Sequence, residues 1–124
     1  MGLSGDYGIA WLLTRLVGTS RARELMFTCD RVDAVRCETI GLVNRVVPDD
    51  KLQTEAFALA KSIAEGPTTA IRYMKDNLDE ALMFDFATAR DHEAERMIRT
   101  QVTADHKEAV QAFIDKRKAV FKGS

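Results

Sequence analysis

The sequence is poor in the residues and patterns that mark several specialised classes of protein. Its 124 residues include two prolines, two cysteines and one tryptophan, and 18 Lys+Arg nearly balance 19 Asp+Glu. A net charge this close to zero gives no reason to expect a nucleic-acid partner or an anionic membrane surface. No uninterrupted apolar run is longer than the five residues of Ile9–Leu13, far fewer than the roughly 20 residues of a membrane span.

The cysteines and the first residues predict a cytoplasmic protein. Cys29 and Cys37 form no CxxC motif and have no ligand-spaced histidine nearby, so we expect reduced thiols and no metal site. The sequence starts without the basic and apolar segments of a secretory signal. His92 and His106 lie in charged helical stretches, and we expect both side chains to be exposed.

Helix-forming residues dominate between the glycines and prolines, which predicts a mainly α protein. Asp33 and Thr103 are expected to cap helices, and the last helix is expected to bury Ala109, Ala112 and Phe113. The first predicted helix spans about 9–16 and ends before Gly18, and the second continues from there to about 27. A short helix is predicted at 34–40, and a longer one from 49 or 50 to the Gly66-Pro67 pair. The remaining three begin at 68 or 69, span 83–100 and span 104–118.

One segment, Leu42–Val47, has the β-branched composition of a short strand and lies between Gly41 and Pro48. A lone strand leaves its backbone donors and acceptors unpaired. We therefore expect this segment to pair with a strand not recognised in the sequence, with another chain, or with a partner absent from these residues.

The glycine-rich loop at the start is the first candidate site. Gly2, Gly5 and Gly8 surround Asp6, and the loop leads into a predicted helix. A carboxylate at this place could serve as a general base or a nucleophile. The alternative, equally compatible with the spacing, is that Asp6 caps the helix.

The basic segment that follows Phe113 is the second candidate site. Lys116, Arg117 and Lys118 could simply complement the dipole at the end of the last helix. Alternatively, Lys116 could bind a phosphate while Phe113 packs against an apolar or aromatic part of the ligand.

Five segments, taken in order, resemble the enoyl-CoA hydratase/isomerase (crotonase) family. They are GLSGDYG with LLTRLVG at 2–18, RAREL at 21–25, the stretch from Asp33 to GLVNRVVP at 41–48, GPTTAIRYMK at 66–75, and TADHKEAVQAFIDKRK at 103–118. The similarity covers essentially the whole chain with family-like spacing. It implies chemistry through a thioester enolate held by two backbone N–H groups.

The resemblance implies roles for three residues. Asp6 falls where isomerase-like and dehalogenase-like members keep a catalytic aspartate. Phe113 and Lys116 match positions that contact the coenzyme A (CoA) nucleotide of a neighbouring subunit. No cofactor is implied, because the CoA thioester is the substrate. Two departures stand out: Ile9 replaces a small residue, and Cys29 replaces a common glycine.

The resemblance implies the C-terminal helical half of a crotonase-like fold as a single unit over residues 1–124. Residues 1–64 would correspond to the end of the core region, and 65–124 to the helical trimerisation region. The family's chains are much longer. Their oxyanion-hole donors, first catalytic acid and adenine-side CoA loop belong to the other half, and we find none of these motifs in residues 1–124.

Two functional hypotheses follow. In the first, the chain is a truncated enoyl-CoA hydratase/isomerase of acyl-CoA (fatty acid) metabolism, inactive alone and restored by an N-terminal partner chain. In the second, it is a non-catalytic helical oligomer, because severed helix faces favour self-association. Both predict a homo-oligomer, and binding of a CoA ester separates them. A helical DNA-binding module has little support, since the only dense basic run is at the C-terminus.

Overall fold

A computed structural model describes residues 2–124, which are mainly α-helical, as predicted. The helices are α1 (Ile9–Thr28), α2 (Ala34–Thr39), α3 (Leu52–Ala64), α4 (Thr68–Ala81), α5 (Phe86–Gln101) and α6 (Ala104–Ile114). The chain divides into two compact units, Met1–Leu52 and Gln53–Ser124. In the described part of the chain, no helix has the length and apolar character needed to cross a bilayer.

The first unit has a small apolar core built by α1 and the residues after α2. Leu13, Val17, Ala22 and Ile40 are buried, and the partly buried side chains of Leu25, Met26 and Leu42 pack against them. The predicted break at Gly18 is present as a kink within α1, where this glycine has φ 80° and ψ 162°. The kink divides the helix at the place where the sequence predicted one helix to end and the next to begin.

The structure corrects the prediction of a strand at Leu42–Val47. The chain there is a series of bends followed by irregular backbone, and residues 2–124 contain no strand. The N–H groups of Leu42 and Val43 donate to the carbonyl oxygen of Cys37, and the Val46 N–H donates to Glu38 Oε1. These backbone N–H groups are therefore satisfied by acceptors of α2, and no neighbouring strand is needed to pair with them.

Cys29 occupies the left-handed position that ends α1, with φ 54° and its N–H bonded to the Leu25 carbonyl. Both cysteines are free thiols. Glycine is preferred at such helix ends because a Cβ costs roughly 1–2 kcal/mol in this conformation. We expect Cys29→Gly to raise the free energy of unfolding by about 1 kcal/mol.

Urea denaturation of Cys29→Gly and Cys29→Ala measures this effect. The alanine variant removes the thiol, which hydrogen-bonds the Met26 carbonyl at 3.3 Å, but keeps the Cβ. Greater stability of the glycine variant than of the alanine variant supports a backbone origin. Equal stabilities would contradict it.

The second unit packs α4 against α5 and α5 against α6. The predicted cap at Thr103 is present, since its hydroxyl accepts the His106 N–H at 3.1 Å. Helix α5 begins at Phe86 and not at residue 83, because Asp85 caps it and accepts the N–H groups of Ala87 and Thr88. The carbonyl of Glu80 accepts the N–H groups of the two residues at 83 and 84, which form a turn after α4.

Large apolar side chains are exposed over much of the described chain. Helix α3 has no buried residue, and its apolar Leu52 and Ile63 are about half exposed. On α6, Ala112 is buried and Ala109 is half-buried, but Phe113 is 84% exposed. The prediction that Phe113 is buried was wrong, because the covered face of α6 follows the spacing 105, 108, 109 and 112.

Candidate functional site

The loop before α1 presents Asp6 between residues in left-handed conformations. Gly5 has φ 101°, Tyr7 has φ 51° and Gly8 has φ 77°. Gly8 is the N-cap of α1, and the carbonyl oxygen of Asp6 accepts the Ile9 N–H at 3.0 Å. Asp6 itself is exposed, and no group within residues 2–124 hydrogen-bonds its carboxylate. Of the two interpretations left open by the sequence, the helix cap is therefore not the one found.

Ile9 packs closely against this loop. A Cβ added to Gly5 would lie 2.8 Å from Ile9 Cγ2, so glycine is required there both by φ and by space. The branched side chain at position 9 thus fills the space beside Gly5. Its contact with Gly5 constrains the backbone one residue before Asp6.

Phe113 and Lys116 lie at the end of α6, and both are exposed. Lys116 has φ 53°, in the left-handed region. Its N–H donates to the Phe113 carbonyl, and the next N–H, that of Arg117, donates to the Ala112 carbonyl at 3.0 Å. This is the hydrogen-bond pattern by which a left-handed residue ends a helix, and it explains why α6 ends at Ile114 and not at residue 118.

Two carboxylates of α6 hold the C-terminal tail, residues 115–124. Asp105, only 4% exposed, accepts the N–H groups of Lys122 at 2.7 Å and Gly123 at 2.9 Å. The Glu108 carboxylate accepts hydrogen bonds from both Nη atoms of Arg117, at 2.6 and 2.9 Å, and from the N–H of Val120 at 2.9 Å. These roles have no signal in the sequence. The basic segment was expected to complement the helix dipole or to bind a ligand, whereas Arg117 pairs with Glu108 of α6.

A second ionic cluster joins α4 to α5. Arg96 donates to Asn77 and to both carboxylate oxygens of Glu80, and His92 Nδ1 lies 2.7 Å from Glu80 Oε2. The Phe84 ring meets the His92 ring edge to face at 5.6 Å. His106 is exposed as predicted, whereas His92 is half-buried in this cluster. These contacts tie two helices together, and we assign them a structural role.

Acid is expected to destabilise the second unit through Glu80 and Glu108. Hydrogen bonds with Arg96, and then with His92, lower the pKa of Glu80 from 4.5 to about 2. The Arg117 guanidinium, and then the Val120 N–H, lower the pKa of Glu108 from 4.5 to about 2. Because both values are depressed by folding, the stabilisation is complete above about pH 4.5 and is lost as the pH falls towards 2.

The melting temperature measured across this pH range tests the prediction. A Glu80→Gln, Glu108→Gln double variant is expected to melt lower at neutral pH and to lose less stability on acidification. An exposed control, Glu93→Gln, is expected to show the same dependence of melting temperature on pH as the unaltered chain. If the melting temperature of the double variant falls with pH as steeply as that of the unaltered chain, other carboxylates are responsible for the loss of stability in acid.

The three predicted site residues fall in different units. Asp6 belongs to the first unit, whereas Phe113 and Lys116 belong to the second. Within its unit, each candidate is exposed and available to a ligand. The supporting residues Asp105, Glu108 and Arg117 could have been suggested only by their charges, since their partners lie nine to eighteen residues away.

Comparison with known proteins gives one consistent family. The family model described as enoyl-CoA hydratase/isomerase matches residues 1–124. A short-chain-enoyl-CoA hydratase of Clostridioides difficile is 40% identical over 113 residues, which are 91% of this chain and 73% of that protein. A crotonyl-CoA hydratase of Syntrophomonas wolfei is 35% identical over 121 residues, 98% of this chain but 46% of that protein.

Solved structures agree with the sequence relatives. The enoyl-CoA hydratase of Bacillus anthracis has a TM-score of 0.94 at 32% identity, over 99% of this chain and 48% of that one. The enoyl-CoA hydratase of Polaromonas sp. JS666 has a TM-score of 0.91 at 27% identity, over 98% of this chain and 47% of that one. Apart from the Clostridioides protein, the chain spans about half the length of these relatives, and the part it matches is their C-terminal portion.

Proposed function

The chain belongs to the enoyl-CoA hydratase/isomerase family, and we propose that it supplies the C-terminal helical portion of an enzyme that hydrates a short-chain enoyl-CoA. The observation that carries the proposal is the family match across residues 1–124, supported by relatives named as short-chain-enoyl-CoA and crotonyl-CoA hydratases. The CoA thioester is the substrate in this proposal, and no further cofactor is invoked.

Asp6 is the proposed acid–base residue of this portion. Its exposed carboxylate makes no capping bond, so it can exchange a proton with substrate or water. Hydration adds water across the double bond conjugated to the thioester, and negative charge develops on the thioester oxygen. Two backbone N–H groups must stabilise that oxygen, and we propose that the N-terminal portion of the enzyme provides them.

Phe113 and Lys116 are the proposed contacts for the CoA nucleotide of a neighbouring subunit. An exposed aromatic ring offers a flat apolar surface for stacking, and an exposed ammonium can pair with phosphate. We further propose that the division at residues 64 and 65 separates a part that completes the catalytic core from a part that forms subunit contacts.

Without an N-terminal partner, we propose that the 124 residues do not turn over substrate. Asp6 alone cannot stabilise an enolate, and loss of one oxyanion-hole donor already costs roughly 2.7–4 kcal/mol of transition-state stabilisation. A homo-oligomer is favoured by the exposed apolar side chains, among them Phe27, Phe57 and Phe86, each at least 72% exposed. The cytoplasmic location expected from the sequence remains part of the proposal.

Calorimetric titration with butyryl-CoA, a saturated analogue that cannot be hydrated, tests the proposed substrate class. The chain is expected to bind it, and Lys116→Met is expected to weaken binding because an ammonium–phosphate contact is lost. Lys75→Met is the matched control, since Lys75 is also exposed but has no proposed ligand contact. Absence of any binding would instead favour the non-catalytic helical oligomer, which the exposed apolar faces also allow.

A further inference from the structure

The conformation of Lys116 is unfavourable for a lysine and is nevertheless firmly held. At φ 53°, it occupies a helix-ending position where glycine avoids a steric cost of roughly 1–2 kcal/mol. Cys29 ends α1 in the same conformation, so this geometry belongs to the helix end, and what it fixes at residue 116 is the direction in which the side chain leaves the backbone. The side chain of Lys116 is exposed, and none of its described contacts accounts for its ammonium group.

The adjacent residue fixes this conformation from two sides. The backbone N–H of Arg117 donates to the Ala112 carbonyl at 3.0 Å. Its guanidinium meets Glu108 in a bidentate pair, with N–O distances of 2.6 and 2.9 Å. Arg117 is therefore attached to α6 by both its main chain and its side chain, so the backbone of Lys116 immediately before it cannot easily change.

The Glu108 carboxylate links this pair to the chain beyond it. Its Oε1 also accepts the Val120 N–H at 2.9 Å, which closes the segment 117–120 against α6. The guanidinium of Arg117 and the N–H of Val120 hold the pKa of Glu108 at about 2, so the pair stays ionised at neutral pH. The two parallel hydrogen bonds between the guanidinium and the carboxylate give this contact a defined geometry, which a single flexible ion pair on the surface lacks.

We infer that Glu108 and Arg117 are positioning residues that hold Lys116 in its left-handed conformation, so that its ammonium is presented to a phosphate of the CoA nucleotide. This inference rests on the proposed function of Lys116 and adds two residues that do not touch the ligand. A lysine side chain is flexible and binds phosphate as a point charge. Fixing its backbone reduces the ordering that binding would otherwise require.

A double-mutant cycle on CoA affinity separates positioning from simple stabilisation. The probe is free CoA, titrated calorimetrically into the full chain and its Lys116→Met, Glu108→Gln and doubly substituted forms. We expect each single substitution to weaken binding by about tenfold and the double form to be no weaker than Lys116→Met, because Glu108 acts through Lys116. Arg117→Lys, which keeps the charge but not the two parallel hydrogen bonds, is expected to lose affinity as Glu108→Gln does.

Asp85→Ala serves as the structural control. It removes the N-cap of α5 and is expected to lower the melting temperature while leaving CoA affinity unchanged. The melting temperature of the Glu108→Gln form is measured in parallel. If Asp85→Ala is equally destabilised and still binds CoA normally, lower stability cannot explain a loss of affinity in Glu108→Gln.

The possible outcomes distinguish the inference from the proposed function. If CoA binds and Lys116→Met weakens it, but Glu108→Gln and Arg117→Lys bind like the unaltered chain, the positioning role is overturned and the proposed function stands. Additive losses in the double form also overturn it, since Glu108 would then act independently of Lys116. If the unaltered chain does not bind CoA, or if Lys116→Met has no effect, the proposed contact fails and the inference fails with it.

Discussion

Replacing Asp105 with alanine is expected to lower the free energy of unfolding by about 2–4 kcal/mol, since it removes two charge-assisted hydrogen bonds. The carboxylate is 4% exposed and accepts the N–H groups of Lys122 and Gly123. The main chain of Asp105 makes a third contact, because its N–H donates to the Ser124 carbonyl at 2.9 Å. Without the carboxylate, the end of the chain loses its principal attachment to α6.

Hydrogen exchange combined with urea denaturation measures this prediction. The amides of Lys122 and Gly123 are expected to lose protection in Asp105→Ala, whereas amides within α4 keep theirs until global unfolding. Asp105→Asn is the matched control, since its remaining carbonyl oxygen can accept one N–H, and we expect an intermediate stability. Unchanged exchange at both amides would show that the tail is held by other contacts, such as the Thr69 hydroxyl donating to the Gly123 carbonyl.

Replacing Asp6 with asparagine is expected to lower kcat by about 10²–10⁴-fold in an enzyme reconstituted from this chain and an N-terminal portion, the range typical of a lost general acid or base. Asparagine has nearly the same shape but cannot accept a proton at neutral pH. KM is expected to change little, because the proposed CoA contacts lie in the second unit, at Phe113 and Lys116. The melting temperature is also expected to stay unchanged, because Gly8 and not Asp6 is the N-cap of α1.

Asp30→Asn provides the matched control for this experiment. Asp30 is an exposed aspartate of the same unit, just beyond the end of α1, and its carboxylate has no proposed role. Its replacement is expected to leave kcat within about twofold of the unaltered enzyme. A similar loss in both variants would attribute the effect to charge in general, and no loss in Asp6→Asn would remove Asp6 from the proposed mechanism.

Local signals in the sequence predicted the helices well because most helix boundaries are set by nearby residues. Asp33 and Thr103 each accept the N–H three residues later, as their position before a helical segment predicts. Asp85 gives the same kind of signal before Phe86, and this signal marks the true start of α5. Gly18 bends α1 at the residue where a break was predicted.

Long-range contacts were not predictable from the sequence. Asp105 bonds residues seventeen and eighteen positions away, and Arg117 bonds Glu108 nine positions away, so no helical or strand period links these partners. The strand predicted at Leu42–Val47 was wrong for a related reason: its β-branched composition gave no sign of the hydrogen bonds to Cys37 and Glu38 that the segment makes. Asp6 and Lys116 were recognisable as candidate site residues from the glycine-rich loop and the basic segment around them, but only the order of family-like motifs suggested their particular roles.

Hydration of crotonyl-CoA is the measurement that tests the central claim most directly. It is carried out with this chain alone, with a polypeptide covering the N-terminal portion of the Syntrophomonas wolfei relative that precedes the matched region, and with the two combined. We predict no turnover by either polypeptide alone and turnover by the combination. Turnover by this chain alone would contradict the proposed need for an N-terminal oxyanion hole. A combination that associates but neither binds nor hydrates crotonyl-CoA would contradict the proposed function itself.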